Sequence, residues 1–248
     1  MGYLENHIGN QDVLAFANGT LQKGVGIGVP KFDEHVTFKR GQFNVVVGRP
    51  NVGKSYYMFF YLMALWKKQG LKSDLYVAEN KIYSVKIDLV QLYYSKIITD
   101  LTEKEINEAL MILTDAFRFI DNKKHYNLKD LFGILSADNW ADIVLIDPYN
   151  ALDDVGSHDT DYKSAGEMRR WCDTTGKTIY INMHPTSEAQ RKVHTQGDFK
   201  GFPCPLDSSY VEGGGKWINR ADDVFNIHRY KSHPDFWMET MVIVEKVK

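Results

Sequence analysis

Apolar and polar positions along this chain keep two alternating rhythms. Short apolar runs recur at "QFNVVVG" (Gln42–Gly48), "DLYVAEN" (Asp74–Asn80), "FRFID", "ADIVLIDPYNAL" (Ala141–Leu152) and "TIYINMH" (Thr178–His184). Rich in β-branched residues and ending on polar ones, they predict strands buried on both faces. Between them lie stretches with helical spacing: Ser55–Lys68 closed by Gly70, "IYSVKIDLVQLYYSKI", "LTEKEINEALMILTDA", "NLKDLFGILSA" and "DTDYKSAGEMRRWCDTTG". Gly70 suits a helix C-terminus, and Thr102 with Glu105 three residues on forms a capping box. Strand and helix alternating in this way predict an α/β fold, a mostly parallel central sheet with helices on both faces. "DDVFNIHRY" and "FWMETMVIVEKVK" predict two last strands that pair as an antiparallel C-terminal edge. Residues 1–40 fall outside the rhythm. Their "GVGIGVPKFDEHVTFKRG" predicts an extended lead-in with one short strand, which leaves 41–248 as the domain. The polar stretch Pro185–Gly215 predicts a long irregular loop.

Composition narrows the classes. A chain of 248 residues can bury one large core. Its formal net charge of -2 means that a nucleic-acid partner has to meet a local basic surface. The two cysteines, Cys172 and Cys204, have no CxxC spacing, so neither a disulfide scaffold nor a zinc site is expected. A reducing cytoplasm fits, or a host cytoplasm for a phage-encoded protein. The first residues lack a basic start followed by an apolar run, and no long uncharged apolar stretch occurs, so no secretory signal or membrane span is expected.

The chemistry gathers at the ends of the predicted strands. Directly after "FNVVV" comes "GRPNVGKS": Gly48, Arg49, Pro50, Asn51, Val52, Gly53, Lys54 and Ser55, with Tyr56 opening the next helix. A strand, Gly-x4-Gly-Lys-Ser and a helix together are the context of a phosphate-binding loop. Glycines permit the turn and the close approach of backbone N–H groups at the positive end of the helix. Lys54 reaches the terminal phosphates of ATP, and the Ser55 hydroxyl takes a place on Mg²⁺. Asp147 ends "IVLID" and is the candidate second metal partner. Glu79 ends "LYVAE" and is the candidate base that orients water. His184 ends "IYINM" and is the candidate sensor of nucleotide state. All belong at the edge where open α/β sheets bind ligands. The plainer readings are a strand-end turn aspartate, a solvated glutamate and a structural histidine.

These residues in this order resemble the RecA-like ATPase domain of hexameric replicative helicases, and within that group phage primase–helicases and Twinkle-like helicases. The matching signals are "GRPNVGKS", "VAEN", "VLIDPYNAL", "INMHP" and "SSYVEGGGKWINRADDVFNIHR", and the likeness runs from about Gly28 to Lys248. It implies a RecA-like fold and an ATP- and Mg²⁺-dependent motor that moves 5′–3′ on single-stranded DNA as a homo-oligomer, a ring of six. It implies Glu79 as catalytic base, Asp147 as the carboxylate near magnesium, and His184 passing the state of the γ-phosphate to DNA loops. The family also supplies an arginine finger from a neighbouring subunit. Here "EKVK" puts Lys246 and Lys248 at those positions, and lysine lacks the bidentate fork, so Arg229 is a further candidate. The family's linker helix and a primase segment are not apparent, which leaves a primase or loader as a separate partner.

In Pro185–Gly215 and just beyond it, Arg191, Lys192, Lys200, Lys216 and Arg220 are candidate DNA-phosphate contacts, and Phe199, Phe202 and Trp217 candidate stacking groups. A solvated loop with ordinary charges is the alternative. The same phosphate loop also serves recombinase-like, RadA-like and KaiC-like ATPases, and a nucleotide-binding module without turnover.

Overall fold

Each apolar run named above forms a strand. The computed structural model describes residues 7, 9–20, 24–153, 155–207, 210–211 and 214–248. Ser208, Ser209, Glu212 and Gly213 of the glycine-rich segment therefore lie outside the described residues. The strands are β1 (Phe43–Val47), β2 (Ser73–Val77), β3 (Phe117–Phe119), β4 (Ile143–Asp147), β5 (Thr178–Met183), β6 (Val224–His228) and β7 (Met241–Lys246). They make one seven-stranded sheet in the order β3-β2-β4-β5-β1-β6-β7. Every pairing is parallel except β6 with β7, the expected antiparallel edge.

Helices α3 (Lys54–Gln69), α4 (Ile82–Tyr94) and α5 (Glu103–Leu113) cover one face, where Met58, Leu62, Leu65, Leu89 and Leu113 pack on Val46, Leu75 and Leu145. On the other face lie α6 (Leu128–Leu135), α7 (His158–Thr175) and α9 (Gly215–Arg220). From these Leu131, Met168, Cys172 and Trp217 pack on Val45, Val47 and Val144. Neighbouring residues of β1 thus feed opposite cores, as the period of two in a strand requires. The predicted stops operate: Gly70 ends α3 with φ 68°, a left-handed conformation that favours glycine. The Thr102–Glu105 capping box opens α5.

Two segments differ from the sequence expectation. The lead-in holds helices α1 (Asn10–Ala17) and α2 (Pro30–Asp33), and Val25 bridges Phe38. Ile27, Val36 and Phe38 are buried in the first core. The fold here rests on local polar chemistry that periodicity does not report. Pro30 starts α2, and the Asp33 carboxylate accepts the N–H groups of Ile27 (2.8 Å) and Gly28 (2.7 Å). The stretch Pro185–Gly215 is likewise folded back on the domain. It contains α8 (Ser187–Gln190), capped by Thr186, and bridges that join Val193 to Pro203 and Pro185 to Val211.

Candidate nucleotide-binding site

Parallel strands bring their C-terminal ends to a single edge, and four neighbours, β2, β4, β5 and β1, bring the candidate residues with them. Register sets Val77 opposite Asp147 and Val47 opposite Met183, one residue before His184. The loop after β1 turns through Asn51 (φ 60°) and Gly53 (φ 96°) into α3. Gly48 is required by contact: a Cβ there would lie 2.6 Å from the Ile227 carbonyl oxygen and 3.1 Å from the Lys54 side chain.

Lys54 is buried, and its ammonium donates to the carbonyls of Gly48 (2.8 Å) and Arg49 (3.1 Å). Burial pushes its pKa down to about 8. Asp147 and Glu79 oppose that shift and Lys231 adds to it. Lys231 itself reaches the loop from beyond β6, donating to the Pro50 carbonyl at 3.1 Å. Asp147 is buried and its Oδ2 has no hydrogen-bond partner. Burial raises its carboxyl pKa, while Ser55, Asn182 and Lys54 favour the ionised form. Glu79 lies just past β2 with an exposed side chain, its Oε1 3.9 Å from Nε2 of His184. Asn182 belongs to the same group, buried on β5 with neither side-chain atom paired. Sequence reasoning missed it; the available signal is a lone amide inside the apolar run "TIYINM". Beside the loop, Phe32, Gly53, Tyr56, Tyr57, Phe60 and Arg229 line a largely apolar cavity of about 630 Å³.

Other candidates fall elsewhere. The Arg49 side chain leaves the phosphate face: its guanidinium is buried against the segment after β5, donating to the carbonyls of Ala189, Gln190, Lys192 and Cys204. Arg191, Lys192 and Lys200 are exposed, Lys192 with its ammonium 3.5 Å from the Tyr210 ring centroid. Lys216 is not on the loop surface. It is buried 3.6 Å from Asp161, because α9 turns its first residues into the second core. Trp217 is fully buried between Phe43 and Tyr149, so it cannot stack on a base. Arg220 is half-buried over the Tyr162 ring. Phe199 stacks on Tyr230 (centroids 4.4 Å), and Phe202 packs on His233 (4.8 Å). Both aromatic groups therefore already have protein partners.

The finger candidates separate too. Arg229 follows β6 at the phosphate-loop edge, its Nε donating to the Trp237 carbonyl at 2.6 Å. Because β7 runs backwards, Lys246 lies opposite Val224 at the far edge. Its ammonium is taken up by the carbonyls of Ile218 (2.7 Å) and Ala221 (2.6 Å), while Lys248 lies 3.2 Å from Asp222.

The sequence matches no family model and no curated protein. Solved structures do match. The ATPase domain of one helicase superposes with a TM-score of 0.73 at 12% identity, over 98% of this chain and 92% of that one. A DnaB-like replicative helicase, described with its interactions with primase, gives a TM-score of 0.72 at 13% identity. That match covers 99% of this chain and 62% of the helicase, so the present chain spans less than two thirds of it. Among the described residues no helix is long and apolar enough to cross a membrane. With its parallel sheet, antiparallel edge and loop after β1, the chain has the RecA-like fold of these helicase ATPase domains.

Proposed function

We propose that this chain is the ATP-hydrolysing motor of a replicative DNA helicase, working on single-stranded DNA. The observation that carries the proposal is the convergence of the phosphate loop, Glu79, Asp147 and His184 from four adjacent strands. The residues fit Mg²⁺ and ATP. Asp147 offers a buried oxygen without a partner, and Gly48 keeps the backbone bare where a side chain would collide. Magnesium in such sites takes one or two protein oxygens and completes its shell from phosphates and water. That agrees with Ser55 and Asp147, and with the lack of a three-ligand cluster among the described residues. The apolar cavity beside Gly53 has room for a nucleobase and its sugar.

Bound Mg·ATP supplies the phosphoanhydride to be broken. The loop N–H groups and Lys54 hold its phosphates, and Lys54 needs its proton to do so. Ser55 and Asp147 hold the metal. Glu79, open to solvent, orients the attacking water and accepts its proton, and His184 beside it reads whether the site is filled. Assembly as a ring of six, movement 5′–3′ and a primase or loader partner extend the same reading. Arg229 is then the cation left to act across a subunit boundary.

One observation favours a second reading, a nucleotide-binding module without turnover: the Lys246 ammonium is already held by its own chain's carbonyls. Steady-state turnover of the whole chain with and without single-stranded DNA separates the two. The motor reading expects DNA-stimulated hydrolysis. It also expects Glu79→Gln to lose a factor of about 10²–10⁴ in kcat while ATP affinity stays within about threefold. ATP bound but never turned over selects the module, and no binding overturns both.

A further inference from the structure

The Arg49 guanidinium is the most heavily engaged group in the phosphate loop, and nothing in the proposed chemistry uses it. Its partners among the described residues are all carbonyl oxygens, of Ala189 (3.0 Å), Gln190, Lys192 (2.8 Å) and Cys204 (3.2 Å). These span both arms of the stretch that Val193 and Pro203 close into a narrow loop, whose tip carries Lys200. His228 lies near Arg49 and is held neutral, its pKa pushed down to about 4 by burial and then by the charges of Arg49 and His194. The arginine's charge is thus balanced by the dipoles of that stretch.

The same stretch meets the phosphate loop a second way. Phe199 stacks on Tyr230, and His194 Nε2 lies 3.0 Å from the Tyr230 hydroxyl. One residue further on, Lys231 donates to Pro50 of the phosphate loop. A buried cation stripped of its acceptors costs several kcal/mol, far more than moving the acceptors along with it. Separating stretch from loop would strip Arg49 in this way, so the two shift as one body.

We infer that Arg49 is a positioning residue that joins the phosphate loop to residues 189–204, so that filling the loop with a triphosphate repositions the exposed cations Arg191, Lys192 and Lys200. This inference rests on the nucleotide-binding part of the proposed function. It adds a route from the site to the basic loop that does not pass through His184.

Hydrogen–deuterium exchange of the whole chain, with and without Mg²⁺ and a non-hydrolysable ATP analogue, tests it. In the unaltered protein the analogue is expected to slow exchange in both 48–55 and 189–204, by about fivefold or more. In Arg49→Lys, and separately in Arg49→Gln, residues 48–55 should still respond while 189–204 change by less than about twofold. A merely structural arginine would loosen 189–204 equally with and without the analogue, and that result overturns the inference. So does a stretch that stays indifferent to the analogue in the unaltered protein while 48–55 respond, an arm that needs no variant to fold. If neither region responds and calorimetry detects no analogue binding, the nucleotide-binding proposal fails and this inference with it.

Discussion

At the scale of single residues, Lys54 carries the most consequence. Its amine is buried and its pKa lies near 8, well below the usual 10.5, so the protonated form that holds phosphates is in short supply above pH 8. A bound triphosphate restores the proton. Affinity for a non-hydrolysable ATP analogue is therefore expected to be flat below pH 8 and to fall about tenfold per pH unit above it, as read by fluorescence titration. The stability linkage has the opposite sign. A basic group whose folded pKa is depressed destabilises the fold fully below pH 8, and the cost fades as pH rises from 8 towards 10.5. Lys54→Met should accordingly raise the unfolding free energy at pH 7, by roughly 3 kcal/mol at most. An affinity that ignores pH up to 10 would mean that the lysine is not the phosphate ligand. Chemical identity made this residue legible in the sequence, since strand, glycines, lysine and serine state their purpose together. Asn182 was not legible, because one amide in an apolar strand reads as noise until Asp147 is seen beside it.

At the scale of elements, α9 shows where pattern reading reaches its limit. "GGGKWINR" looks like an exposed, basic, aromatic loop end. The structure instead turns Lys216 inward to Asp161 and seats Trp217 between Phe43 and Tyr149, the latter ring 4.5 Å away. A six-residue helix is too short to display a period, so the sequence could not report which side faces in. α2 and α8 stayed hidden for the same reason, whereas α3, α4 and α7 carry enough turns to be read. The burial yields a test. Trp217→Ala is expected to cost about 3–5 kcal/mol and lower the melting temperature by about 10 °C, measured by thermal denaturation, with Trp217→Phe recovering most of it. A base-stacking role without burial would leave the melting temperature unmoved and weaken DNA binding.

At the scale of the whole molecule, the basic surface available to DNA is smaller than the sequence suggests. With Lys216 buried and Arg220 half-buried over Tyr162, the exposed candidates are Arg191, Lys192 and Lys200. Three phosphate contacts per chain correspond to a salt slope near −2 on single strands. Affinity measured by anisotropy should then fall roughly 20-fold from 50 to 200 mM salt. A slope near zero removes these residues from the interface. Of the architecture, the layered order of strands and helices was readable because buried parallel strands are almost wholly apolar. The folding back of 185–215 was not, because backbone carbonyls gathered round Arg49 leave no trace in side-chain pattern. The two thiols sit at opposite ends of this picture. Cys172 is sealed in the second core, with its pKa driven up to about 12, whereas Cys204 is only half-buried, in the stretch that Arg49 grips. Alkylating reagents and spin or fluorescent tags should consequently modify one position of the native chain and report from its basic arm, sparing the engineering of a cysteine-free background.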